Sequence, residues 1–168
     1  MKEKNNILIT SAGQRVALLR AFQRELKAVF PQGKVYAVDM YPPLSPACQI
    51  ADGHASICRV TDECYPQVLL AQCLEWGVKL IVPTIDTELL ILAKHKQLFL
   101  DNGIVPVISG TTFVQQCRDK RLTNTFFQEK KDLTRSTSKS LFSAEARTLA
   151  PQIKVRSGQS YPAVDTTM

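Results

Sequence analysis

The chain has 168 residues, 45% of them hydrophobic and 21% charged, with a formal net charge of +6. That is enough apolar material for one well-buried core, and no stretch approaches the roughly 18 uninterrupted apolar residues that a spanning helix needs. The charged opening Met1-Lys-Glu-Lys-Asn-Asn6 runs into only the short apolar stretch Ile7 to Thr10. A secretory segment would be longer, so the expected location is cytoplasmic.

Five cysteines, Cys48, Cys58, Cys64, Cys73 and Cys117, form no C-x-x-C pair, and only His54 and His95 could join them. Neither a disulfide framework nor a zinc ligand set follows; free thiols, mostly buried as small hydrophobes, are expected. The basic surplus is uneven: residues 1–117 carry 11 Lys+Arg against 10 Asp+Glu, and residues 118–168 carry 10 against 5. Such a tail suits a phosphate-binding segment, a solvated extension or a nucleic-acid module, and the scarcity of aromatics after residue 130, where only Phe142 and Tyr161 occur, argues against the last.

In chain order, Asn6 to Thr10 reads as a buried strand that ends at the small-residue turn Ser11-Ala-Gly13. Val16, Leu19, Phe22, Leu26 and Phe30 fall on one face of a helix, and Pro31-Gln-Gly33 stops it. Lys34 to Asp39 is a second strand with a carboxylate at its end. Tyr41-Pro-Pro43 and Pro46 then predict an irregular, rigid loop. A short strand near 55–60 and a helix from Tyr65 to Trp76 follow. Val78 to Pro83 is the clearest buried strand, and it delivers Thr84-Ile-Asp86-Thr-Glu88 at its end. The pattern continues with a helix from Glu88 to Leu100, a strand over Ile104 to Ile108, and one bent helix or two helical pieces between Thr111 and Phe127. His95 falls on what reads as a solvated helix face. Strand and helix alternate, which predicts an open parallel α/β sheet of Rossmann-like type, followed by a Lys/Ser/Thr-rich connection over 130–150, and the tail beyond about 130 is expected to be poorly ordered alone.

In such sheets ligands sit beyond the carboxyl ends of the strands. Three groups are candidates there: the Ser11 to Arg15 turn with Gly13, whose backbone N–H groups suit an anion; Asp39; and Thr84, Asp86 and Glu88. If they make one substrate crevice, Gly13, Asp39 and Asp86 should converge. Each also has a plain structural role open to it, as a helix cap, an Asx turn or a favourable acid in a first helical turn. A dinucleotide site is disfavoured because Ser11-Ala-Gly-Gln-Arg-Val16 supplies one glycine of the G-x-G-x-x-G pattern, and no P-loop occurs.

The succession Ile7-Leu-Ile-Thr-Ser-Ala-Gly13, Val38-Asp39, Ile81-Val-Pro-Thr-Ile-Asp-Thr-Glu-Leu89, then Asp119-Lys120 with Thr123 and Phe126-Phe127, resembles the N-terminal part of an ATP-grasp ligase of the carbamoyl-phosphate synthase large-subunit type. The resemblance covers roughly residues 6–129. It implies a Rossmann-like pre-ATP-grasp domain over 1–112 and a linker with the truncated start of an ATP-grasp domain over 113–168. Enzymes of that group activate a carboxylate as an acyl phosphate using ATP and Mg2+. By position Lys120 resembles the basic residue that reaches a nucleotide phosphate. Lys154 is similar to the family's strand lysine, with Gly158 and Ser160 at the start of a phosphate-covering loop, although Val155 and Tyr161-Pro162 depart from the pattern. No acidic cluster for magnesium stands in 130–168. The resemblance therefore implies part of an ATP-dependent carboxylate ligase, inactive by itself, with a small-molecule carboxylate as its substrate and homo-oligomers as an open option. The alternative is a free-standing Rossmann-like module that binds a nucleotide or metabolite without catalysis.

Overall fold

A computed structural model describes residues 5–128 of the chain. Five strands form one all-parallel sheet: β1 (Asn6–Thr10), β2 (Val35–Asp39), β3 (His54–Ser56), β4 (Val78–Pro83) and β5 (Val105–Pro106), in the order β3-β2-β1-β4-β5. The strand order reverses between β1 and β4, which is where a doubly wound sheet opens a crevice. The register aligns Thr10 with Val38 of β2 and with Pro83 of β4, so three strand ends lie level.

Alternation along β1 divides the core. Ile7 and Ile9 face a cluster with Leu19 and Leu26 of α1 (Val16–Val29) and Ala47 and Cys48 of α2 (Pro46–Ile50). Leu8 faces the other side, where it meets Tyr65, Leu69 and Cys73 of α3 (Tyr65–Glu75), Leu92 of α4 (Asp86–Lys94) and Phe99 of α5 (Lys96–Leu100). Helices thus cover both faces, as expected for a parallel sheet. At the opposite edge, buried Asn6 ties three elements: its Nδ2 donates to the Trp76 carbonyl at 2.6 Å and its Oδ1 accepts from the Lys34 N–H at 3.0 Å.

Several local expectations change. The proline-rich segment after Asp39 is ordered as a 3-10 turn over Pro42–Leu44 followed by α2, because proline at a helix's first position loses no intrahelical hydrogen bond and has its φ already set. Ser45 caps α2 by accepting from the Cys48 N–H at 3.3 Å. The helix expected from Glu88 to Leu100 starts at Asp86 and breaks at His95, which is half-buried rather than on a solvated face and holds its Nδ1 3.0 Å from the Ile91 carbonyl. The third and fifth strands are shorter than expected. After α6 (Thr111–Arg118), residues 120–128 are helical again, and Asp119 marks the bend. By internal contacts the chain divides into residues 1–122 and 123–168. The stretch over 130–150 lies outside the described residues, as do Lys154, Gly158 and Ser160.

Candidate functional site

The sheet's carboxyl edge carries two different environments. At the β1 turn, Ser11 and Gly13 both adopt left-handed backbone, with φ of 50° and 46°. A serine held there is strained, and its surroundings fix it. Thr84 lies with its hydroxyl 2.7 Å from the Ser11 carbonyl and 3.0 Å from the Thr10 carbonyl, sharing one hydrogen between them. The Ser11 hydroxyl donates to Glu88 Oε2 at 3.2 Å. Gly13 is held from the β2 side: its N–H donates to Asp39 Oδ2 at 2.8 Å, and its carbonyl accepts from the Ser45 hydroxyl at 2.9 Å and the Ala47 N–H at 3.1 Å.

Four N–H donors of the turn are engaged within the protein. The Ala12 N–H goes to Val38, Gly13 to Asp39, Arg15 to Ala12 and Val16 to Gln14.

Glu88 stands in the first turn of α4 and is fully buried there. Its Oε1 accepts a short hydrogen bond from the Tyr65 hydroxyl, which is itself buried. Burial pushes the Glu88 carboxyl above its ordinary value, while the hydroxyls of Tyr65, Thr10 and Ser11 draw it partly back. The Tyr65 phenol is raised in turn, first by burial and then by the neighbouring carboxyl. The buried Thr10 hydroxyl makes no hydrogen bond of ordinary geometry and bears on Glu88 from nearby.

Beyond this plug lies a cavity of about 460 Å³ at the ends of β1 to β3, lined by Ser11, Asp39, Cys58, Arg59, Thr61 and Thr87 among others. Another cavity, of about 450 Å³, lies at the end of β5 between α4 and α6. Leu89, Val107, Ile108, Phe113 and Val114 give it an apolar floor, and Asp86, Arg118 and Lys120 stand on its rim. Lys120 is exposed at the start of the helical stretch 120–128, where Asp119 accepts from the Arg121 N–H at 2.8 Å. That backbone bond, with the Arg121 side chain second, holds the Asp119 carboxyl below its ordinary value.

Of the residues singled out from the sequence, the structure therefore joins Gly13 to Asp39 directly, uses Thr84 and Glu88 to brace the β1 turn, and sends Asp86 to the other cavity with Lys120. Asp39 and Asp86 line different cavities, Asp39 the one at the ends of β1 to β3 and Asp86, the first residue of α4, the one beside α6. Sequence reading missed Tyr65, Arg59 and Arg118. An acid at position 88, four residues before buried Leu92, was the available signal for the first.

The family described as "PylC-like, N-terminal domain" matches residues 7–108. The chain belongs to that family. The match supports placement in the ATP-grasp group, at the level of its amino-terminal, pre-ATP-grasp part. Two solved structures share the fold. Glycinamide-RNase-transformylase T from Mycobacterium tuberculosis is 16% identical, with a TM-score of 0.52 over 71% of this chain and 33% of that one. The biotin carboxylase domain of a single-chain bacterial carboxylase is also 16% identical, with a TM-score of 0.53 over 75% of this chain and 29% of that one. The chain thus spans about a third of the length of either. No curated protein matches the sequence. Among the described residues no helix is long and apolar enough to cross a membrane, and no group of three or more His, Cys, Asp or Glu side chains could hold a metal ion.

Proposed function

We propose that this chain is the N-terminal portion of an ATP-dependent carboxylate ligase resembling the carbamoyl-phosphate synthase large subunit, and that it contributes to nucleotide and substrate binding rather than to turnover by itself. ATP-grasp enzymes use ATP and Mg2+. The nucleotide supplies the phosphoryl group that activates a carboxylate. The observation that carries the reading is the cavity rim just beyond the matched region, where Arg118 and Lys120 flank an apolar floor. A lysine is a mobile point charge suited to a phosphate oxygen and an arginine adds a planar fork, while the apolar floor suits a flat ring. In this reading Lys120 and Arg118 hold phosphate, and the family resemblance assigns Lys154, Gly158 and Ser160 to the nucleotide as well. Asp86, on the same rim, orients a polar group of the ligand. Magnesium would draw its oxygen ligands from the phosphates, water and residues other than a described acidic cluster.

Gly13, Asp39, Thr84 and Glu88 shape the neighbouring strand ends in this reading, with a small-molecule carboxylate approaching over them. The second cavity favours an alternative, a metabolite-binding module in which Arg59 and Thr61 meet an anionic ligand beside Asp39. Calorimetric titration of the full chain with Mg-ATP tests the two. Loss of binding in Lys120→Ala with retention in Arg59→Ala supports the ligase reading, and the reverse pattern overturns it.

A further inference from the structure

The loop between β3 and α3 brings two cysteines together that the sequence keeps six positions apart. The Sγ atoms of Cys58 and Cys64 stand 3.7 Å from each other. A disulfide needs a separation of about 2.05 Å, so the two sulfurs are already neighbours with a short approach left to make. The backbone already makes the bend: the Arg59 N–H donates to Asp62 Oδ2 at 3.1 Å and the Asp62 N–H to the Arg59 carbonyl at 3.0 Å. Cys64 is anchored as its carbonyl accepts from the Val68 N–H at 3.0 Å in the first turn of α3. Cys64 is exposed and Cys58 half-buried, whereas Cys48 and Cys73 are buried.

We propose that Cys58 and Cys64 form a reversible dithiol–disulfide site, closed by a low-molecular-weight disulfide such as oxidised glutathione and reopened by a thiol reductant. The exposed Cys64 thiolate attacks one sulfur of the glutathione disulfide, whose S–S bond breaks to release one glutathione thiolate and leave a mixed disulfide on Cys64. Cys58 gives its proton to solvent and attacks the Cys64 sulfur, expelling the second glutathione thiolate. The leaving thiolates take up the released protons. The protein pair loses two electrons and the glutathione disulfide gains them. Its exposure makes Cys64 the first attacker, and burial, with the adjacent thiol, pushes Cys58 up, so the closing step is faster at alkaline pH.

The bridge would have a structural consequence at the cavity beside it. Arg59, Val60 and Thr61 lie between the two cysteines and line the 460 Å³ cavity together with Cys58. Closing the ring fixes that wall, whatever ligand the cavity takes.

The test is disulfide mapping on the full chain. The folded protein is held in oxidised glutathione, quenched in acid, alkylated and digested with trypsin, which cuts after Arg59 and so separates the two cysteines. The expected product joins peptide 35–59 to peptide 60–79, with fragmentation placing the bond at Cys58 and Cys64 rather than Cys48 and Cys73. It should exceed any other pairing by about tenfold and disappear with dithiothreitol. Cys58→Ser should leave Cys64 as a stable glutathione adduct, since the resolving thiol is gone. The proposal is overturned if the unaltered chain accumulates glutathione on Cys64 without a bridge, or if the dominant bond involves Cys117 or a second copy.

Discussion

The ends of β1 and β4 and the end of β5 lie on one edge of one sheet, yet they spend their polar groups differently. Around β1, Glu88 is enclosed, Tyr65 and Ser11 donate to it, Thr84 braces two carbonyls and Asp39 holds the Gly13 N–H. Around β5, Asp86, Arg118 and Lys120 are exposed on the rim of an apolar cavity. Position at a strand's carboxyl end therefore does not decide whether a residue meets a ligand; what decides is whether its hydrogen-bonding capacity is already used inside the protein.

The sharpest way to break this contrast is to remove the buried carboxyl. Glu88→Ala leaves the Tyr65 hydroxyl without its acceptor and opens a void, which should cost roughly 2–5 kcal/mol of stability in urea unfolding. A loss below 0.5 kcal/mol would be that of a surface site. Tyr65→Phe keeps the volume and deletes one donor, with an expected cost of about 1–3 kcal/mol.

Titration sharpens the same point. Because folding raises the Glu88 pKa from its ordinary value of 4.5, the folded chain binds that proton more tightly than the unfolded one. The resulting stability is present below the unfolded value and is lost as pH rises through the folded one. Glu88→Gln offers an acceptor to Tyr65 and a donor to Ser11 without titrating. The unfolding midpoint of the unaltered chain should therefore fall relative to the variant as pH rises from the ordinary carboxylate range. Parallel curves would show that the carboxyl is not buried as described.

Gly13→Ala gives a smaller effect. The added Cβ meets nothing nearer than the Ser11 carbonyl oxygen at 3.8 Å, so the cost is that of φ at +46° alone, about 1 kcal/mol. A much larger loss would mean that the turn is more crowded than its geometry indicates.

The sheet was legible because β1, with Ile7 to Ile9, and β4, apolar but for Lys79, are short apolar runs with a helix-period pattern after each. The prolines after Asp39 misled because proline breaks a helix from within but starts one at its first position, and Pro46 sits there. The break at His95 carries no glycine or proline to announce it. Glu88 looked like a favourable acid in a first helical turn because its partner Tyr65 stands 23 residues earlier on another helix. The Cys58 and Cys64 pair escaped for a similar reason: the turn at Arg59 to Asp62, not the spacing, brings the sulfurs together. Asp39 and Gly13 were found as strand-end residues, but only the folded chain shows that they bind each other.

The most direct test of the division between bracing and binding residues measures stability and Mg-ATP affinity side by side in Lys120→Ala and Glu88→Gln. Lys120 is exposed, so its truncation should leave stability within about 0.5 kcal/mol while weakening ATP binding about tenfold through loss of a charge-assisted contact. Glu88→Gln should alter the pH dependence of stability and leave ATP affinity unchanged. Unchanged affinity in Lys120→Ala together with lost affinity in Glu88→Gln would contradict the account and move the ligand to the ends of β1 and β4.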